Sequence, residues 1–306
     1  MSRHSRAWLL PLAMGIGGAS YPLSGRLAFV TPYLIFCMLL ITSCDLSLKT
    51  IRFHRAYLLL LAIQALGSAF VYWILSYFSP LLGEGAMICI LAPTAMAAAV
   101  ITGMLGGSVA FAATYTLFGS LCVALLAPFY FAWTGARGDL PFLASAWEVC
   151  YRVVPLLVVP VVAAFLLERF LPPVYRVLRR IRPWTYYLWI FGLTIVSGRT
   201  VAFVAEHAHA GLLEGMGLAL VALVICIAQF VLGRRIGRCH DNAIAAGQSL
   251  GQKNTILAIW MAQLYLHPLA SIAPAAYVLW QNCINSFQLW KHDRRTPKTK
   301  FSERQC

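Results

Sequence analysis

The chain has 306 residues, of which 60% are hydrophobic and only 11% charged, with a mean hydropathy of +0.75. A soluble domain is usually about a quarter charged, so this composition excludes an ordinary soluble fold and points to an all-α polytopic membrane protein. The formal net charge of +14 invites a nucleic-acid partner, but its placement argues against one: 19 of the 24 Lys and Arg fall in or beside alternate gaps between apolar runs, the positive-inside pattern.

Runs long enough to cross ~30 Å of hydrocarbon place ten spans near 8–24, 27–47, 56–78, 84–105, 108–133, 142–168, 184–205, 211–232, 241–265 and 268–290. The basic start and apolar run at the N-terminus read as a short first span rather than a cleavable signal, because its removal would leave a repeat incomplete. The basic gaps Lys49 to Arg55, Arg169 to Arg182 and Arg234 to Arg238, with the basic tail, put both termini in the cytoplasm of a plasma (inner) membrane. The nine cysteines lie mostly inside apolar runs with no metal-like spacing, so they read as small buried residues.

In chain order, span three carries Gln64 at mid-depth, where an amide wants a partner. Span four is interrupted at Ala92-Pro93-Thr94, since Pro93 removes a backbone donor and clashes with the preceding turn. Span five holds Thr114, Thr116 and Ser120, and Glu148 and Arg152 of span six are spaced to pair. The longest linker, RFLPPVYRVLRRIRP, crosses the cytoplasmic surface near the middle of the chain. Glu206, His207, His209 and Glu214 resemble acid–base or metal equipment, but they lack a complete constellation and read as a solvated loop. Span eight holds Gln229 near its cytoplasmic end.

Span nine is the most informative. Gly247, Gln248, Ser249, Gly251, Gln252, Lys253 and Asn254 put glycines, amides and one ammonium where lipid would be deepest. An unpaired charge there is expensive, so the segment faces protein or a wet cavity and its backbone is interrupted. No carboxylate stands in a span interior as an obvious partner for Lys253; Asp45 and Asp241 lie near cytoplasmic ends. His267-Pro268 reads as a tight outer turn, and Gln281, Asn282, Asn285 and Ser286 enter span ten, with Asn282 and Ser286 on one face.

The central linker divides ten spans into five plus five. A five-span half repeated once is inverted across the membrane, and two broken spans at matched positions, four and nine, point to a transporter with crossing half-helices. The predicted fold is therefore ten transmembrane helices as two inverted five-helix repeats with broken helices four and nine crossing. The substrate and crossover candidates are Pro93, Thr94, Ser249, Gly251, Gln252, Lys253, Asn254 and Asn282.

These residues also carry a family likeness. GQSLGQKNTILA of span nine and HPLASIAPAAYVLWQN of span ten, with weaker support from Pro93, Thr102 and Gly107, resemble the bile acid:sodium symporter family. The resemblance implies a core domain of spans three to five (56–133) and eight to ten (211–290). It also implies a panel domain of spans one and two (1–55) and six and seven (134–210), followed by a basic tail (291–306). It implies secondary transport of organic anions, usually with sodium. Where sodium-dependent members have Glu-x-Gly-x-Gln-Asn, this chain reads Ser249, Gly251, Lys253 and Asn254; where they have Ser-Asn after the proline, it has Ala98 and Ala99. Gln64 and Thr116 match the family's glutamine and threonine, so Gln64, Thr116, Ser249 and Asn254 are what remains of an ion site, and another expected hydroxyl is Ala112. An alkali cation needs a shell of oxygens and is repelled by a neighbouring ammonium. Lys253 therefore stands in for the cation or acts as a titrating group coupled to protons.

The expectation is a carrier of a small organic anion working by alternating access. It embeds in the lipid bilayer as a monomer or weak homodimer, and binds neither a cofactor nor nucleic acid. A channel would show a continuous polar stripe or repeated ring of oxygens, and a receptor would carry a soluble signalling domain; neither pattern is present. No enzyme activity is expected.

Overall fold

The computed structural model describes residues 12–44, 53–95, 97–134, 142–181, 184–206 and 211–295. Asp45, Lys49, Arg52, Arg137, His207, His209 and the tail beyond 295 lie outside the described residues. Nearly everything described is helical, and among the described residues there is no strand, only an isolated bridge.

A helix at 12–19 (α1) is followed by α2 (Tyr21–Leu27) and α3 (Thr31–Ser43). His54 caps α4 (Arg55–Ser76), its side chain accepting from the Ala56 N–H at 3.2 Å. Ser79 and Pro80 then start α5 (Pro80–Leu91), the serine at the N-cap and the proline where its missing N–H costs nothing. α5 stops at Ala92, whose ψ of 139° is the extended value imposed by the following proline. The chain resumes as α6 (Ala97–Met104), turns at Gly106 with a φ of +79°, and enters α7 (Val109–Trp133) through the Ser108 cap. α8 (Phe142–Phe170) carries Pro155 and Pro160 inside it. The short basic α9 (Pro172–Arg180) begins at the two prolines of the central linker. α10 (Thr185–Glu206) and α11 (Gly211–Arg238) follow.

The last third mirrors the break seen earlier. α12 (Ala243–Gly251) ends at Gln252, α13 (Thr255–Tyr265) starts at the Asn254 cap, and His267-Pro268 leads through a 3-10 turn into α14 (Ile272–Arg295). The predicted interruption between Gly247 and Asn254 is thus confined to its last three residues. Gly251 is helical; it is small because a Cβ there would fall 2.5 Å from the Phe230 ring of α11. Gly233 of α11 likewise lets α11 and α12 lie backbone to backbone, since its Cβ would meet the Ala246 carbonyl at 2.5 Å.

Among the described residues four helices, α4, α7, α8 and α11, are each long and apolar enough to cross a membrane by themselves, while α3, α5, α13 and part of α10 are shorter apolar helices. Large apolar side chains such as Leu66, Phe70 and Trp73 of α4 and Leu220 and Val224 of α11 point outward, as lipid-facing helices require. One buried apolar cluster joins Ile35 of α3, Met87 of α5, Val153 and Leu157 of α8, Leu193 of α10 and Ile256 to Met261 of α13. A second joins α5, α11 and α14 through Ala86, Cys89, Leu218, Cys226 and Tyr277. Ala245, Ala246 and Leu250 of α12 pack in a third cluster with α4 and α7, and Ala92 to Thr94 and Gln252 to Lys253 of the two breaks are buried.

Candidate functional site

The breaks in the two segments meet. Thr94 and Lys253 form an antiparallel bridge, with the Ala95 N–H donating to the Gln252 carbonyl at 2.9 Å and the Asn254 N–H to the Pro93 carbonyl at 2.8 Å. Pro93 can stand here because the bridge asks only for its carbonyl. Gln252, Lys253 and Thr94 are buried at 4%, 2% and 3% exposure.

Two helix C-termini end at this bridge, each with carbonyls lacking intrahelical donors. At the end of α5, the Lys253 ammonium donates to the carbonyls of Ile90 (2.7 Å) and Ala92 (3.0 Å). The Gln64 amide of α4 donates to Leu91 (2.9 Å) and Ala92 (3.0 Å), and the Gln229 amide of α11 to Cys89 (3.2 Å). At the end of α12 the donors are neutral: the Thr94 hydroxyl to Ser249 (2.6 Å), the Tyr277 hydroxyl to Gly251 (2.8 Å), and the Ala95 N–H already named. A charged residue is thus buried without a carboxylate, compensated by the negative end of a helix dipole.

Gln281 of α14 fixes the lysine from behind, accepting its backbone N–H at 2.9 Å and donating to its carbonyl at 3.4 Å. The Gln64 amide is oriented by both ends, because its Nε2 faces two carbonyls while its Oε1 accepts from the Tyr115 hydroxyl at 2.9 Å. A further chain of amides leaves the crossover: Asn285 donates to Gln252 Oε1, and Gln248 donates to Asn285 Oδ1 and Gln288 Oε1, each at 3.0 Å.

The structure therefore brings together Gln64, Pro93, Thr94, Gly251, Gln252, Lys253 and Asn254, with Ser249 lending its carbonyl. The Ser249 hydroxyl is buried without a partner. Asn254 is half-buried and spends its side-chain oxygen capping α13, accepting from the Leu257 N–H at 3.4 Å. Thr116 bonds back to the Ala112 carbonyl of its own helix at 2.9 Å. Asn282 likewise bonds to Val278 of its own helix, so the inner face of α14 is the one bearing Gln281 and Asn285 rather than Asn282 and Ser286.

Some participants were not singled out from the sequence. Tyr115 and Tyr277 are fully buried hydroxyl donors. The stripe Tyr277, Gln281, Asn285, Gln288, spaced four, four and three, is the helical signal that marks this face. Glu84, not singled out from the sequence, sits in the second turn of α5 at 7% exposure. Its carboxylate accepts from the His267 N–H at 2.7 Å and pins the turn before α14 rather than meeting Lys253. Outside the crossover, Glu148 and Arg152 pair at 3.4 Å as their spacing predicted. Glu214 is exposed, and among the described residues no three His, Cys, Asp or Glu converge on a metal site.

Comparison with curated proteins returns no match. A family model does match, over residues 30–207, and its description is the sodium bile acid symporter family. The matched range takes in α3 to α10, and so Gln64, Pro93, Thr94 and Thr116, but stops before the Lys253 arm of the crossover. It covers more than half of the sequence, and on that ground the chain belongs to the sodium bile acid symporter family, whose members are membrane transporters.

Proposed function

We propose that the chain is a secondary transporter of a small organic anion, working by alternating access without sodium, in which Lys253 holds the crossover as a bound cation would. The observation that carries this reading is the ammonium on the Ile90 and Ala92 carbonyls at the end of α5. A helix C-terminus carries about half a negative charge, which a site at mid-depth must neutralise; the tethered lysine ammonium does so.

The side chains around it offer a sodium ion few oxygens. Gln64 turns its NH2 to the α5 carbonyls, the Thr116 hydroxyl is turned to its own helix, and the Asn254 oxygen caps α13. The residues present do not fit sodium.

The antiparallel bridge supports the inverted ten-helix repeat, since it requires α5 and α12 to enter the crossover from opposite directions. On that repeat, 56–133 and 211–290 form the core, and 1–55 and 134–210 the panel that moves against it, in a plasma (inner) membrane with both termini cytoplasmic. The N-terminal ends of α6 and α13 then offer backbone N–H groups to an anion, beside the half-buried Asn254 and the small Ala95 and Ala97. The test is uptake of candidate carboxylates and sulfonates into proteoliposomes. Saturable uptake that is unchanged when sodium is replaced by choline supports the reading; uptake that vanishes without sodium refutes it.

A further inference from the structure

At the end of α11 where Arg234, Arg235 and Arg238 gather, a groove of about 510 Å³ opens between α11 and α14. Its floor is apolar, formed by Ile227, Phe230, Val231, Ile284 and Phe287, and Arg234 stands at its basic end. From Ile227 to Arg234 the floor runs about 10 Å along the helix. We propose that this groove binds one anionic phospholipid, with the phosphate on Arg234 and an acyl chain along the floor.

Three features argue for a built site. The guanidinium is held in place: its stem lies across Gly247 of α12, where a Cβ would come within 2.5 Å of Arg234 Cγ, and its Nη2 donates to Gln288 Oε1 at 2.8 Å. That one bond leaves most of its five N–H donors to a ligand. Among the described residues no carboxylate pairs with it, and Arg235 and Arg238 beside it are exposed and of the same sign. A phosphate takes a guanidinium bidentately, and neighbouring arginines favour a lipid with net negative charge over one whose choline they repel. The groove's other lining is apolar enough to exclude a freely soluble anion as the better occupant.

The site also touches the machinery. Gln288 Oε1 accepts from Gln248 as well as from Arg234, so the guanidinium ends the amide chain that runs through Asn285 to Gln252 at the crossover. Lipid binding itself does not rest on the transport reading.

The test uses the full chain purified in detergent. Native mass spectrometry with phosphatidylglycerol and with phosphatidylcholine reads the number and affinity of bound lipids. One phosphatidylglycerol per chain is expected to be retained in preference to phosphatidylcholine. Arg234→Gln should weaken it roughly five- to tenfold. Val231→Trp, which fills the floor and leaves Arg234 alone, should weaken it comparably. Equal binding of the two lipids overturns the proposal, as does unchanged phosphatidylglycerol binding in Val231→Trp. Full displacement of the lipid by inorganic phosphate also overturns it, by showing a site for a free anion.

Discussion

The two arms of the crossover solve one problem in different ways. Each ends a half-helix whose last carbonyls face the middle of the protein. The α5 arm is closed by an ammonium and two amides, the α12 arm by two hydroxyls and a backbone N–H. The α5 carbonyls from Cys89 to Ala92 each meet a side-chain donor, whereas the donors to Ser249, Gly251 and Gln252 of the α12 arm are all neutral. Of the two arms, α5's is the one whose terminal carbonyls meet a lysine ammonium, a group tethered to the chain.

The largest effect is expected from removing the charge. Lys253→Met keeps the length of the side chain but leaves the Ile90 carbonyl buried without a donor and the dipole uncompensated. Roughly 2–4 kcal/mol of stability should be lost, read as a lowered Tm in detergent, together with loss of anion uptake. A Tm within a degree of wild type would mean the ammonium does not hold the arm. Next comes Gln64→Leu, which strips the donor from Leu91 and the acceptor from Tyr115. It should cost about 1–3 kcal/mol in the same assay, with Ala92 still held by Lys253.

The neutral arm should be more forgiving. Thr94→Val removes one hydroxyl donor and is expected to cost about 1 kcal/mol; Tyr277→Phe also removes the acceptor of the Gln229 amide at 3.0 Å, and about 1–2 kcal/mol is expected. An equal or greater loss than in Lys253→Met would erase the difference between the arms. Smallest of all is Asn282→Ala, expected within about 0.5 kcal/mol of wild type, with uptake retained, because its side chain bonds only to its own helix.

Much of this site could be read before any coordinates. Lys253 announced itself as a charge in an apolar run, Pro93 as a residue that no unbroken helix accommodates cheaply, and Gln64 as a mid-span amide in need of a partner. The partners were harder. A tyrosine among apolar residues reads as packing or as an interfacial anchor, so Tyr115 and Tyr277 gave no sign of their hydroxyls' targets. In span ten the choice between Gln281 with Asn285 and Asn282 with Ser286 is a rotation of about 100° of one helix, and four-residue spacing fits both pairs equally. The resemblance rested mainly on spans nine and ten, whereas the family match covers residues 30–207 and stops before the arm carrying Lys253.

The most direct measurement is anion uptake by proteoliposomes holding wild type or Lys253→Gln, each with a sodium gradient and with choline in its place. The account predicts wild-type uptake that ignores sodium, and in Lys253→Gln either weakened uptake or uptake that has become cation-dependent. A wild-type protein that needs the sodium gradient, with Lys253→Gln behaving identically, would contradict it.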